Sequence, residues 1–120
     1  WYLSATTEEQ RAEMADRNNL RAPGLGPPDE TAAWLWDRHV AAVAADNPAL
    51  EVWPPDWRDP GGFLHWKLIP HFGMNIGELW WLADLADDCA ADGVYEFSLT
   101  SAPLDVPGGV GSPPNALAIK

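Results

Sequence analysis

Apolar residues recur along this chain in two patterns: a helical spacing of three and four positions, and short continuous or alternating runs. The helical spacing, with typical start and stop residues, predicts helices over Thr6–Asn19, Asp29–His39, Phe63–Phe72 and Ala83–Ala91. The short runs predict strands, of which the first two are expected to be buried, over Val40–Ala45, Met74–Leu79, Val94–Thr100 and Ala116–Ile119. This order predicts an α/β fold in which a central mixed sheet is flanked by helices.

Residues at the ends of these elements refine the expected boundaries. Thr7, with Gln10 three positions later, predicts a capping box for the first helix, and Asp29 is expected to cap the second. Gly73 and Gly93 are natural stops for the third and fourth helices. The segments richest in proline and glycine, which we interpret as loops, are Arg21–Pro28, Glu51–Gly62 and Pro103–Pro114.

Composition narrows the class of protein and its partners. A chain of 120 residues is long enough for one compact domain. Seven Lys and Arg against eighteen Asp and Glu give a formal net charge of −11, which argues against nucleic acid and anionic membranes as partners. Cys89 is the one cysteine, which favours a reducing, cytoplasmic location, and no apolar stretch approaches the ~20 residues of a membrane span. Because the chain begins at Trp1, within an aromatic run, we expect it to be cut from a longer protein.

Residues near the ends of the predicted strands are candidates for chemistry. Glu78 stands in an otherwise apolar run, so its carboxylate is either paired, protonated or metal-bound, or it marks where the strand reaches solvent. His65 precedes it by thirteen positions, enough for a helix to run and for the chain to return beside its own start. An imidazole and a carboxylate that converge in this way can share a metal ion. Asp46 follows the strand predicted over Val40–Ala45, where α/β folds place their sites, although an ordinary turn before Pro48 is the simpler interpretation.

Other chemistry-bearing residues carry weaker signals. His71 lies six positions after His65, a rotation of about 600° on a regular helix, so the two rings are expected to point apart. His39 is expected to lie at the surface, and Cys89 to be a small core residue of its helix. The segment Gly108–Pro113 has the composition of a phosphate-binding loop but lacks the lysine and the following helix that such a loop needs.

Four segments occur in this chain in the order in which one known family has them. They are Ala41–Pro48, Phe63-Leu64-His65 leading to Ile76-Gly77-Glu78-Leu79, Tyr95-Glu96-Phe97, and Gly111-Ser112-Pro113 before a final apolar strand. In these segments the chain resembles the C-terminal half of the cyclase family of metal-dependent hydrolases, which includes bacterial kynurenine formamidase and isatin hydrolase. The resemblance covers nearly the whole chain. It implies that residues 1–120 form a single partial domain of a swivelling β/β/α cyclase fold.

The resemblance also implies an activity and a set of site residues. Members hydrolyse an amide or cyclic amide bond with water that is activated by zinc or manganese, and His65 and Glu78 match the family's last two metal ligands. Asp46 matches a family aspartate that is expected to position the substrate. Trp53 and Trp57 are expected to line an apolar pocket for it. The implied partners are a small-molecule substrate and, for the full-length enzyme, a second copy in a homodimer.

The chain departs from the family's pattern in three ways. The family's His-x-Gly-Thr-His-x-Asp motif, which supplies three ligands beside a catalytic histidine, is absent from the sequence. The spacing between His65 and Glu78 is one residue longer than the family's, and the serine of the Asp46 motif is replaced. Because two ligands cannot close a tetrahedral site, we expect this chain alone to bind metal weakly and to be catalytically silent.

A non-catalytic interpretation stays open beside the hydrolase. In it, an acidic chain with eight Trp is a binding module for a carbohydrate or a protein. That interpretation predicts exposed, coplanar Trp side chains and no convergence of His65 with Glu78. The hydrolase interpretation predicts that these two side chains lie close together near the ends of strands.

Overall fold

The computed structural model describes residues 7–16 and 18–120, and the chain divides into two compact units, Trp1–Trp81 and Leu82–Lys120. The elements of the first unit are α1 (Glu8–Ala15), α2 (Pro28–Asp37), β1 (Ala42–Ala44), α3 (Leu64–Leu68) and β2 (Asn75–Gly77). The elements of the second unit are α4 (Ala83–Asp92), β3 (Ser98–Thr100) and β4 (Leu117–Ile119). The predicted α/β class is confirmed, with the described strands forming one parallel and one antiparallel pair.

The sheet of the first unit is a parallel pair whose crossover connection carries α3. Ala42 lies opposite Asn75, and Ala44 lies opposite Gly77. Parallel strands need such a long connection, since a tight turn would make them antiparallel. The backbone ladder continues beyond the strands, because Ala45 N–H donates to the Gly77 carbonyl at 3.0 Å. The segments that follow β1 and β2 therefore leave the sheet side by side at its carboxyl edge.

The core of the first unit lies where α2 and α3 meet. Leu64 and Leu68, one helical turn apart on α3, have no exposed surface. The cluster of buried apolar residues comprises Ala32, Leu35, Leu50, Leu64, Leu68 and Met74, and Val43 of β1 packs against it. Strand β1 is less buried than predicted, because Ala42 is exposed while Val43 and Ala44 are only partly covered. β2 has the same pattern, since Asn75 is exposed while Ile76 and Gly77 are only partly covered. The prediction that the first two strands are buried is therefore wrong.

Proline decides where two of the helices begin and end. Helix α3 was expected to reach Phe72 but stops at Leu68, since Pro70 has no N–H to donate and its ring disfavours a continuing helix. Helix α2 begins at Pro28, with Pro27 as the N-cap residue, so the prediction that Asp29 is the cap is wrong. Proline suits the first helical turn because its missing N–H would have had no partner there. Asp29 instead lies in that first turn.

The capping box predicted for α1 is confirmed. Gln10 N–H donates to Thr7 Oγ1 at 3.2 Å, and Thr7 N–H donates to Gln10 Oε1 at 2.9 Å. The helix ends at Ala15, short of the predicted Asn19. The predicted start at Thr6 lies outside the described residues, as do Trp1–Ser4 and Arg17.

The second unit pairs a helix with an exposed antiparallel ribbon. Gly93, at φ 73°, ends α4 as predicted, and Cys89 is buried within that helix. Strand β3 begins at Ser98, four residues later than predicted from Val94, and every residue of β3 and β4 is exposed. After β4, Lys120 Nζ lies 2.8 Å from Asp92 Oδ1 and 2.9 Å from Asp88 Oδ2, which ties the strand end to α4. Along the described chain, no helix combines the length and the apolar character needed to cross a membrane.

Removing buried volume from α3 is predicted to destabilise the first unit. We expect Leu68→Ala to lower the free energy of unfolding by about 2–5 kcal/mol, because it deletes a fully buried side chain between two helices. Ile69→Ala is the matched control, since the side chain of Ile69 is about half exposed and its loss leaves no cavity. Urea denaturation followed by circular dichroism measures both variants. Equal losses in the two would contradict this description of the core.

The ion pair at the end of α4 is predicted to make stability depend on pH in the acid range. The Lys120 ammonium and the Val94 N–H, both donating to Asp92, hold the pKa of that carboxyl below its usual value. A carboxyl whose pKa is lower folded than unfolded stabilises the folded state above its unfolded pKa, and this contribution is lost as the pH falls through the folded value. NMR titration of Lys120→Gln should therefore show the Asp92 pKa rising towards its usual value. Lys67→Gln is the matched control and should leave the Asp92 titration unchanged.

Candidate functional site

The structure brings His65 and Glu78 into direct contact. His65 is the second residue of α3, and Glu78 directly follows β2 at the carboxyl edge of the parallel pair. The distance between His65 Nε2 and Glu78 Oε1 is 3.1 Å. About one third of the Glu78 side chain is exposed, so the strand reaches the surface there and the carboxylate is also paired. The convergence expected of these two residues is observed, while metal binding by them stays a prediction.

A second carboxylate, which the sequence analysis did not single out, holds the other side of the same imidazole. Glu51 is 2 % exposed, and its Oε1 lies 2.7 Å from His65 Nδ1. The same carboxylate accepts the backbone N–H of Leu64 at 2.6 Å and that of His65 at 3.0 Å. Because a buried carboxylate is costly unless donors surround it, these hydrogen bonds explain how Glu51 lies inside the protein. His65 is thus held between two carboxylates.

The Pro/Gly-rich linker before α2 holds the backbone of Glu51 in place. Leu25 N–H donates to the Leu50 carbonyl at 3.0 Å, and Val52 N–H donates to the Leu25 carbonyl at 3.1 Å. Between these bonds Gly24 lies so close that a Cβ there would be 2.7 Å from Glu51 Cα and in overlap with its carbonyl group. Only glycine allows this approach.

A glycine is also needed at the end of β2, next to Glu78. A Cβ on Gly77 would lie 2.6 Å from Cε2 of the Trp80 indole and 2.9 Å from the Cβ of Ala44 on β1. The indole therefore covers the strand end that precedes Glu78. The absence of a side chain at Gly77 makes room for it.

An aromatic cluster lies against one face of the His65 imidazole. The ring of Phe63 stacks on the imidazole of His65, with centroids 4.5 Å apart and planes 7° from parallel. Around Phe63 lie Trp53, Trp57 and Trp66, at centroid distances of 6.4, 5.2 and 5.4 Å. Trp57 and Trp66 keep about half of their surface exposed. The structure thus places Trp53 and Trp57 one ring away from His65, and their contact with a substrate stays a prediction.

Of the other candidates from the sequence, Asp46 lies near Glu78, because its neighbours Ala45 and Asn47 are hydrogen-bonded to Gly77 and Leu79. Asp46 is exposed just beyond β1, and its neighbour Asn47 donates from Nδ2 to the Pro23 carbonyl at 2.8 Å. His39 is exposed. His71 is exposed and lines a separate cleft of about 390 Å³ between α2 and the turn after α3, beside the ion pair of Lys67 with Asp29.

The sequence around Glu51 contains a pattern that indicates a buried acid. Glu51 follows Ala49 and Leu50, both buried, and is a lone acid at an apolar position, the same argument that singled out Glu78. Its place in a segment interpreted as an irregular loop hid that signal. Over the described ranges, no group of three or more His, Cys, Asp or Glu side chains is arranged to hold a metal ion by itself.

Comparison with known proteins identifies a relative with this fold. No protein-family model matches the sequence, and no curated protein matches it. A solved structure described as a novel cyclase matches 83 % of this chain with 45 % sequence identity and a TM-score of 0.68. The chain is similar to a cyclase. The α/β fold agrees with that of this cyclase neighbour. The chain spans 31 % of the length of that cyclase.

The close approach at Gly24 leads to a prediction about the backbone of Glu51. We expect Gly24→Ala to lower the free energy of unfolding by about 1–3 kcal/mol, because the new Cβ overlaps backbone atoms that cannot rotate away. Gly26→Ala is the matched control in the same linker, since a Cβ there meets only Val52 Cγ2 at 3.9 Å. Urea denaturation measures the difference. A Gly24→Ala variant as stable as Gly26→Ala would contradict the packing described here.

Proposed function

We propose that this chain is the C-terminal part of a metal-dependent hydrolase of the cyclase family, similar to kynurenine formamidase. Its reaction is the hydrolysis of an amide, cyclic amide or lactone bond by metal-activated water. Support comes from the likeness to a cyclase structure at 45 % identity and from the contact between His65 and Glu78. The contact carries the proposal, because it joins two residues that the resemblance pairs as metal ligands.

The donor set and its spacing suit zinc or manganese. Zinc binds histidine nitrogen at about 2.0–2.1 Å and carboxylate oxygen at about 2.0–2.2 Å. Two such ligands at a tetrahedral angle of about 109° lie about 3.4 Å apart. His65 Nε2 and Glu78 Oε1 are separated by 3.1 Å. The pair therefore needs little rearrangement to hold a divalent cation.

Five residues of this chain have a role in the proposed reaction. His65 and Glu78 hold the cation, which when bound supplies an activated water and polarises the substrate carbonyl. Asp46, exposed at the carboxyl edge of the sheet, is proposed to position the substrate. Trp53 and Trp57, one ring removed from His65, are proposed to form an apolar wall against which the substrate rests.

Two ligands leave the proposed coordination incomplete. A catalytic zinc takes three protein ligands and keeps one position open for water or substrate. The resemblance assigns the remaining ligands and a catalytic histidine to a His-x-Gly-Thr-His-x-Asp motif, which this sequence does not contain. We therefore propose that this chain by itself binds metal weakly and does not turn over substrate. For the full-length enzyme, we propose a homodimer in the cytoplasm that acts on a small molecule.

The alternative of a Trp-rich binding module has less support. It required that His65 and Glu78 stay apart, whereas they are in contact. It also required coplanar Trp rings, whereas Trp53 and Trp57 meet at 81°, and Trp57 and Trp66 at 57°. Rings at such angles pack edge to face and present no shared flat surface to a sugar.

The metal site is tested by zinc titration of the protein and two variants. We expect His65→Ala and Glu78→Gln each to weaken zinc binding by at least about tenfold in isothermal titration calorimetry, because each removes one of two ligands. Zinc should also shift the imidazole ¹⁵N signals of His65 in the parent protein. The same samples, assayed with aryl formamides, cyclic amides and lactones, should show no turnover above background.

His71→Ala provides the matched control for that titration. His71 is an exposed histidine at the separate cleft, so its removal should leave zinc affinity unchanged. If His71→Ala weakens binding while His65→Ala does not, the proposed ligands are wrong.

A further inference from the structure

Glu51 determines which nitrogen of the His65 ring carries hydrogen. Its two oxygens accept hydrogen bonds from two backbone N–H groups, which can only donate. The oxygen that accepts from His65 N also faces Nδ1 at 2.7 Å. An ionised carboxylate has no hydrogen to give, so Nδ1 must be the donor in this contact. Nδ1 therefore carries hydrogen.

The consequence appears on the opposite side of the ring. A neutral imidazole with hydrogen on Nδ1 has its lone pair on Nε2, and Nε2 points at Glu78 Oε1. Two acceptors that face each other at 3.1 Å need a proton or a cation between them. Without a proton there, the protein presents one nitrogen lone pair and one carboxylate oxygen to the same point.

The ring has little freedom to leave this orientation. Phe63 covers one of its faces in parallel stacking, and 17 % of the His65 side chain is exposed. Glu51 is itself fixed, because it is buried and Gly24 packs against its backbone. Proteins commonly orient a metal-binding histidine by letting its other ring N–H donate to a buried, immobile carboxylate.

We propose that Glu51 is a positioning residue, which keeps hydrogen on His65 Nδ1 and so aims the Nε2 lone pair at Glu78, where the cation of the proposed function would lie. The cation part of this inference rests on the proposed function. The orientation of the ring rests on the contacts of Glu51 alone. Glu51 touches neither the proposed cation nor the substrate, and it acts through His65.

Long-range ¹H–¹⁵N NMR of the metal-free protein at one fixed pH tests the orientation directly. In the parent protein we expect Nδ1 of His65 to give the signal of a hydrogen-bearing nitrogen. In Glu51→Gln we expect a substantial population with hydrogen on Nε2 instead. Glutamine has a single acceptor oxygen and cannot serve both backbone N–H groups and Nδ1 as the carboxylate does. Zinc titration of the same variant should show affinity lower by about tenfold to a hundredfold.

Two further variants separate positioning from ligation and from general damage. Glu78→Gln should keep hydrogen on Nδ1 while losing zinc affinity, because it leaves the Glu51 contact intact. Glu30→Gln, which changes an exposed glutamate in the first turn of α2, should match the parent in both measurements.

The outcomes distinguish this inference from the proposed function. Hydrogen absent from Nδ1 in the parent protein overturns the inference without recourse to any variant, so a poorly folded Glu51→Gln does not leave it untested. A Glu51→Gln protein with unchanged ring signals and unchanged zinc affinity overturns it as well. If the parent binds no zinc but Glu51→Gln loses the Nδ1 hydrogen, the metal part of the proposed function fails and the positioning by Glu51 stands.

Discussion

A carboxylate without access to water must find its donors inside the protein, and Glu51 finds three of them in the first two residues of α3. These hydrogen bonds join the segment after β1 to the start of α3. They also fix the imidazole that follows. Without them, a buried negative charge would have no compensation and the start of α3 would lose two acceptors. The local fold and the geometry of the site therefore depend on the same group.

The parallel pair and the helical core supply the rest of the arrangement. Burial of Leu64 and Leu68 between α2 and α3 sets the rotation of α3, and thus the direction in which His65 leaves the helix. The ladder between β1 and β2 sets the point at which Glu78 leaves the sheet. Two residues thirteen positions apart meet because the start of α3 and the end of β2 lie at the same edge of the sheet. The site is thus a product of packing as much as of its own side chains.

Sequence patterns predicted the features that depend on neighbours in the chain, such as the Thr7 capping box and the stop at Gly93. They overestimated the length of α3, because apolar spacing continues through Pro70 whereas the regular helix ends at Leu68. They predicted a fully buried β1, yet among the described strands it pairs with β2 alone and stays partly exposed. His65 and Glu78 were singled out because a lone acid stands in an apolar run thirteen positions after a histidine, and the family resemblance then assigned both to a metal. Glu51 was missed because it lies in a proline-rich segment that was interpreted as an irregular loop, where an acid beside buried apolar residues does not stand out.

The positions around His65 differ in how readily they accept substitution, and Gly24 and Gly77 are the most restricted of those described above. A side chain at either position requires its neighbours to shift, and at Gly24 those neighbours are backbone atoms of Glu51. By contrast, Pro54, Asp56 and Arg58 are exposed, and they border the aromatic side chains that face His65 through Phe63. Diversity introduced in that segment would reshape the approach to the imidazole while leaving its supports untouched. An effort to evolve new specificity in this scaffold should begin there.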